Sequence, residues 1–176
     1  MSEKQAANGK QGTYHSCAVC PADNNCCSKF NVNDGGIQNA FLFISEIDRV
    51  EEYTGIDRYT FIESKKYPDA KVIYYIKSSE HVCFFYQNNK CVIYPVRPII
   101  CSLFPFDLKE HNGNLRWVFY TQICTIPFNY SKHFENAKTA LKHSGIIKRE
   151  IIAYIQEDGP SMAHHAYIDL GPVELC

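Results

Sequence analysis

The chain has 176 residues, a net charge of −1, 45% hydrophobic residues and 21% charged residues. These values are typical of one globular domain and give no electrostatic case for binding nucleic acid or an anionic membrane. The longest apolar runs fall well short of the ~20 residues that a membrane-spanning helix needs.

The N-terminal segment, residues 1–12, is polar and lacks the apolar stretch of a signal peptide. We therefore expect a flexible tail over residues 1–12 and a single metal-binding domain over residues 13–176. We also expect the protein in the cytoplasm, where thiols stay reduced. Nine cysteines in that setting call for an explanation other than disulfides.

The first part of the domain, residues 13–30, has little regular periodicity and holds four cysteines. This pattern predicts an irregular metal-binding loop. Further on, Ser45 has the spacing of an N-cap for a helix from about Glu46 to Thr54, and Gly55 is placed to end that helix.

The middle of the chain predicts a second short helix and then strands. Asp57 is a candidate cap for the helix, which we expect to end near Ser64. Runs rich in β-branched and aromatic residues predict the strands, and asparagine-rich segments predict the turns between them. The strands are expected at Lys71–Ile76, Val82–Tyr86, Cys91–Tyr94 and Leu115–Tyr120, and the turns at Gln87–Lys90 and Asn112–Asn114.

The C-terminal third is predicted to be helical over residues 131–157, with a break near Gly145. Ile147, Ile151 and Ile155 fall on one stripe of an amphipathic helix. From residue 159 onwards we expect irregular structure. The predicted fold class is α+β: one small domain with a short antiparallel sheet, flanking helices and an irregular cysteine-rich metal-binding loop.

Eight of the nine cysteines are candidate metal ligands. Cysteine thiolates hold iron–sulfur clusters, and four cysteine or histidine ligands hold structural zinc. Cys83 and Cys91 flank the predicted asparagine turn, so two strands could present them side by side. The candidates are Cys17, Cys20, Cys26, Cys27, Cys83, Cys91, Cys101 and Cys124.

The neighbouring pair Cys26 and Cys27 leaves alternatives open. Adjacent side chains in an extended segment point to opposite sides. Either one is a ligand and the other is packed, or the two serve different metal atoms. The eight cysteines could form one site or two, and we favour one. His15 and His81 could each replace a cysteine ligand, whereas the terminal Cys176 is left out of the site.

Two other readings of the cysteines carry less weight. Buried free cysteines behave as small hydrophobic residues, but a Cys-x2-Cys followed closely by a Cys-Cys pair favours a metal. A disulfide framework is disfavoured by the odd number of cysteines and by the expected reducing compartment.

A second signature runs from Cys91 to Pro105 and has the form C-x2-Y-x2-R-P-x2-C-x2-F-P. Together with the upstream cysteine loop, it resembles the CxxCxxCC family of zinc- or iron-chelating proteins, the YkgJ-type cysteine-cluster proteins. That family is similar to the cysteine-rich part of flagellin lysine N-methylases. One departure is that five residues, Pro21–Asn25, stand where the family has two. Cys83 and Cys124 match cysteines that the family carries before and after the signature.

The signature contains two further residues of interest. Pro98 favours an extended conformation for Arg97. Near a thiolate cluster, the Arg97 guanidinium could donate hydrogen bonds to carbonyl groups or sulfurs, or it could pair with a carboxylate at the edge of the core. We expect Tyr94 to be a packing residue rather than a catalyst.

The cysteine set and the resemblance together imply an iron–sulfur protein, with a 4Fe-4S cluster as the expected cofactor. The cluster would serve electron transfer or support a protein modification similar to lysine methylation, and the partner would be a protein substrate or a redox partner. The alternative is a zinc-stabilised binding module without catalysis. Catalytic residues are not identified, and the sequence holds no G-x-G-x-x-G loop for a Rossmann-type cofactor site.

Overall fold

Helices and small antiparallel sheets follow one another along the chain in the computed structural model. The structure describes residues 27, 39–66, 72–121, 129–146, 150–152 and 166–174. The predicted tail and most of the predicted cysteine loop lie outside these residues. The described elements confirm the α+β fold class.

The first sheet has three strands in the order β1-β3-β2, and all its pairings are antiparallel. Helices α1 and α2 connect β1 to β2 along the chain. The bounds are β1 Phe41–Leu42, α1 Ile44–Thr54, α2 Arg58–Phe61, β2 Ile62–Lys66 and β3 Val72–Ile76.

Helix α1 begins earlier than the sequence pattern predicts. Its N-cap residue is Phe43, and the capping acceptor is the carboxylate of Glu46, whose Oε2 accepts the Phe43 N–H at 3.1 Å. The prediction that Ser45 caps this helix is therefore wrong. The predicted end is confirmed, because Gly55 adopts a left-handed conformation with φ of 67°, which glycine takes at little cost.

Helix α2 is shorter than predicted. Asp57 is its N-cap, as expected, and its side chain accepts the Tyr59 N–H at 2.9 Å. The expected helix up to Ser64 is wrong, since the chain leaves the helix after Phe61 and enters β2. Every residue of β2 pairs with a residue of β3, so cross-strand pairing overrides the local helical preference.

Two short ladders follow β3. Strand β4, Ser78–Ser79, pairs with β5, Val82–Cys83, and β6, Tyr86–Gln87, pairs with β7, Lys90–Cys91. Asn88 and Asn89 form the turn between β6 and β7 with φ of 50° and 61°, which confirms the predicted hairpin. The predicted strand at Cys91–Tyr94 stops at Cys91, because the segment Tyr94–Val96 forms a 3₁₀ turn.

The second sheet has the strand order β10-β9-β8, with antiparallel pairing. The turn at Asn112 and Gly113 is confirmed by their φ values of 52° and 76°. Strand β10 corrects the expectation of irregular structure after residue 159. The bounds are α3 Ile99–Leu103, β8 Phe106–His111, β9 Asn114–Tyr120, α4 Tyr130–His143 and β10 Tyr167–Pro172.

The helical prediction for residues 131–157 holds for α4, which ends where Gly145 takes φ of 72°. Residues 150–152 are helical again, and Ile151 is buried. Ile147 and Ile155 lie outside the described residues, so the predicted isoleucine stripe remains a prediction.

Two main hydrophobic cores organise the described residues. The first core lies between the first sheet, α1 and the short ladders, with Phe61 and Phe85 fully enclosed. The second core lies between the second sheet and α4, around Phe106 and Trp117. Helix α3 contributes to both: Ile99 and Leu103 belong to the second core, and the segment Ile100–Cys101 packs against the first.

Candidate metal centre

Four of the eight candidate cysteines come together on the first core. Cys83 is part of that core, and Cys27, Cys91 and Cys101 pack against it. Three of these cysteines lie in three different short secondary-structure elements. Cys83 ends β5, Cys91 ends β7, and Cys101 lies in the middle of α3.

Cys83 and Cys91 approach each other by a different route from the one predicted. In the ladders, Cys83 is paired with Ser78 and Cys91 with Tyr86. The two cysteines are therefore not cross-strand partners in one hairpin. They still lie close enough for the charge of the Cys91 thiolate to act on Cys83.

The Cys83 thiol is shielded from water. Its pKa is raised to about 12, mainly by burial and also by the nearby thiolate charges of Cys27 and Cys91. Backbone N–H groups of Phe85 and Tyr86 act in the opposite direction, because they donate to the sulfur and stabilise its charged form. The balance leaves a protonated thiol at neutral pH.

Cys101 is affected by every other member of the group. Burial is the main reason why its pKa lies well above the usual thiol value. Negative charge on Cys83, Cys27 and Cys91 adds to the rise, as does the carboxylate of Glu46. Such a set of close sulfurs is costly to ionise together unless a cation is among them.

The chemistry of this donor group suits a thiophilic metal. It consists of sulfur atoms on an apolar core, which is the ligand type of zinc and of iron–sulfur clusters. Because the metal binds the thiolate form, metal binding would displace the thiol protons.

The predicted ligand set is larger than the group of four cysteines that the structure describes. Among the described residues, no three Cys, His, Asp or Glu side chains stand in an arrangement that could hold a metal ion. Half of the predicted ligands, namely Cys17, Cys20, Cys26 and Cys124, lie outside the described residues. Cys27 is the member of the vicinal pair that the structure places beside the other cysteines.

Glu46 is a residue of this region that the sequence analysis missed. It is only 1% exposed, and its Oε1 accepts the Ile99 N–H at 2.7 Å. Ile99 is the first residue of α3, two positions before Cys101. A capping glutamate could be suspected from its position in the first turn of α1, but its contact with a residue 53 positions away has no local signal in the sequence.

Arg97 is held by its own turn. Its guanidinium lies 3.8 Å from the centre of the Tyr94 ring, and its Nη1 donates to the Tyr94 carbonyl oxygen at 3.0 Å. Within the described part of the chain, Arg97 forms no ion pair with a carboxylate, and its buried Nε has no hydrogen-bond partner. Of the two alternatives for Arg97, the described residues show a hydrogen bond to a carbonyl group, and the Tyr94 ring packs against the guanidinium as expected.

The histidine alternatives gain no support from the described residues. His81 is exposed and has φ of 68°. His15 and Cys176 lie outside the described residues. No helix in the described ranges is both long enough and apolar enough to cross a membrane.

A group of thiols on one core of a small α+β domain defines the class of cysteine-cluster metal-binding proteins. The model of the CxxCxxCC family, described as "Putative zinc- or iron-chelating domain", matches residues 16–125, and the chain belongs to this family. The matched range contains all eight candidate cysteines. No curated protein and no solved structure matches the chain. The family description therefore supports metal binding by this chain, with zinc or iron as the metal.

Proposed function

We propose that this protein carries an iron–sulfur cluster of the 4Fe-4S type, bound by cysteines of the set Cys17, Cys20, Cys26, Cys27, Cys83, Cys91, Cys101 and Cys124. The observation that carries the proposal is the convergence of Cys27, Cys83, Cys91 and Cys101 on one apolar core. The candidate ligands that the described residues bring together there are sulfur atoms, and protein iron–sulfur clusters are held mainly by cysteine thiolates.

The surroundings of the thiols support a cluster. Phe84 and Phe85 pack edge to face with ring centroids 5.0 Å apart, and Phe85 is fully buried in the core that contains Cys83 and that Cys91 packs against. An apolar shell limits the access of water and oxygen and so tunes the reduction potential of a cluster. Backbone N–H groups that donate to the Cys83 sulfur would also influence this potential, because they stabilise negative charge on the sulfur.

For the role of the cluster, we propose electron transfer, or support of a protein modification related to lysine methylation. The partner is accordingly a redox protein or a protein substrate. The second role rests on the resemblance to the cysteine-rich part of flagellin lysine N-methylases. We place the protein in the cytoplasm, which agrees with free thiols at Cys83 and Cys101.

Zinc is the second candidate, because the family is described as zinc- or iron-chelating. A zinc ion would bind four thiolates and stabilise the domain without redox chemistry. Its function would then be that of a binding module.

Purification without oxygen distinguishes the two metals. We expect a brown protein with broad visible absorption that contains iron and acid-labile sulfide in equal amounts. A colourless protein with stoichiometric zinc and no iron would contradict the proposed iron–sulfur cluster and support the zinc-stabilised binding module. Incubation of the cluster-loaded protein with labelled S-adenosylmethionine and candidate protein partners then tests the modification role, and repeated absence of labelled product would leave electron transfer.

A further inference from the structure

Glu46 is the one charged side chain that is buried among the residues described by the structure. Burial of a carboxylate is costly unless hydrogen bonds and charges compensate for it. Here burial raises the pKa of Glu46, while its hydrogen bonds and Arg49 act in the opposite direction. The free-energy cost of burying this carboxylate therefore leads us to ask what its hydrogen bonds do in the structure.

The hydrogen bonds of Glu46 join two helices. Oε2 accepts the Phe43 N–H at 3.1 Å, at the start of α1, and Oε1 accepts the Ile99 N–H at 2.7 Å, at the start of α3. The contact with the Arg49 guanidinium is longer, at 3.5 Å, and that side chain is 42% exposed. The two backbone amides are therefore the main partners of the carboxylate.

The second of these helices carries a candidate ligand. Cys101 follows Ile99 by two residues within the five residues of α3. The carboxylate of Glu46 also lies close enough to Cys101 for its charge to act on the thiol. A shift of the α3 start relative to α1 would therefore move the Cys101 sulfur relative to Cys83 and Cys91.

We propose that Glu46 is a positioning residue for the metal centre: its carboxylate ties the start of α3 to the start of α1 and so holds the Cys101 sulfur in reach of the metal. This inference rests on the proposed function, because it needs a metal that Cys101 helps to bind. It predicts that the geometry of the thiolate site depends on Glu46, beyond the contribution of Glu46 to stability.

The test compares three variants of the full chain, Glu46→Ala, Glu46→Gln and Glu51→Gln, with wild type. Glu51 is a matched control on the same helix: it accepts the Arg58 N–H at 2.8 Å at the start of α2 and pairs with the Arg58 side chain. Two measurements are made without oxygen. One is the release of the native metal to a chelator, and the other is the thiolate-to-metal charge-transfer absorption when Co²⁺ is added to the metal-free chain.

Glu46→Ala should release metal about tenfold faster than wild type, as is common when a residue that orients a ligand is removed. Its charge-transfer absorption should fall, because fewer sulfurs reach the Co²⁺ ion. In both measurements, Glu46→Gln should lie between wild type and Glu46→Ala. The amide oxygen can still accept the Ile99 N–H, but the NH₂ group cannot accept the Phe43 N–H. Glu51→Gln should match wild type in both measurements.

The possible failures are distinguishable. A wild-type chain that binds neither its own metal nor Co²⁺ overturns the proposed function itself. If wild type binds metal and both Glu46 variants match it in release rate and absorption, Glu46 is a helix cap only and the inference is wrong. If Glu46→Ala does not fold, as judged by circular dichroism, the comparison of Glu46→Gln with Glu51→Gln decides the question.

Discussion

The guanidinium of Arg97 stacks on the ring of Tyr94 at 3.8 Å, and its Nη1 donates to the Tyr94 carbonyl oxygen. These contacts hold the segment between Cys91 and Cys101. Replacement of Tyr94 by Leu should lower the free energy of unfolding by about 0.5 to 2 kcal/mol, because a cation–π contact is lost. Tyr94→Phe keeps a ring face and should lose much less. Denaturant unfolding measures both.

Arg97→Lys gives a second measurement of the same contact. Lysine keeps the charge but lacks the planar group that can stack on a ring and donate from several nitrogens. We expect a loss similar to that of Tyr94→Leu, and little further loss in the double variant. Equal losses in Tyr94→Phe and Tyr94→Leu would show that the ring face is not responsible.

A partly buried carboxyl in the second sheet should make stability depend on pH. The Asp107 carboxylate accepts the Leu108 N–H at 2.8 Å and the Tyr120 hydroxyl at 3.3 Å, and burial raises the Asp107 pKa to about 6. An unfolded aspartate titrates near pH ~3.9, so the difference corresponds to roughly 3 kcal/mol. Between these two pKa values the folded state holds more protons than the unfolded state, and stability from this group falls as pH rises.

The Asp107→Asn variant should therefore gain stability relative to wild type as pH rises from about 4 to about 6, with a constant difference above that range. Denaturant unfolding at several pH values measures the difference. Asp169→Asn is the opposite control, because Arg116 at 2.6 Å lowers the Asp169 pKa and its removal should cost stability at neutral pH. A pH-independent difference for Asp107→Asn would contradict the assignment.

The hairpin before Cys91 depends on two residues with positive φ. Asn89 has φ of 61°, a conformation that costs most non-glycine residues about 1 kcal/mol. Asn89→Ala should therefore lower the free energy of unfolding by roughly 1 kcal/mol. Asn89→Gly should be neutral or slightly stabilising, since Asn-Gly is the favoured pair for this turn. If both variants unfold at the same denaturant concentration, the positive φ at residue 89 does not contribute to the difference in stability and the prediction is wrong.

Metal content should separate the grouped cysteines from the terminal one. Cys101→Ser removes a sulfur from the group that includes Cys83 and Cys91, and Cys20→Ser removes one from the predicted loop. Both variants should lose metal and stability, because structural metal binding contributes to folding. Cys176→Ser should keep full metal content, and metal loss in this variant would overturn the ligand assignment. Elemental analysis of purified variants measures the result.

Much of the local structure could be predicted because it depends on adjacent residues. Gly55 and the turns at Asn88–Asn89 and Asn112–Gly113 follow from the few residues that tolerate positive φ. The family match over residues 16–125 confirms the resemblance to the CxxCxxCC family that the cysteine spacing and the Arg97–Pro98 signature indicated.

The features that were missed depend on contacts between distant residues. Ile62–Lys66 becomes a strand because of pairing with Val72–Ile76, and β10 forms by pairing with β9 about fifty residues earlier in the chain. The hydrogen bond between the Glu46 carboxylate and the Ile99 N–H likewise joins residues that are far apart in the chain. Local propensity cannot indicate such partners, since they are set by tertiary packing.

Helix α3 makes the two cores interdependent. Its residues are divided between them, with Ile99 and Leu103 in the second core and Ile100–Cys101 packed against the first. Binding or loss of a metal at Cys101 would thus alter the packing of α3 against α4 and the second sheet. Amide hydrogen exchange in β8 and β9 should therefore report the occupancy of the proposed metal site, to which neither strand contributes a cysteine.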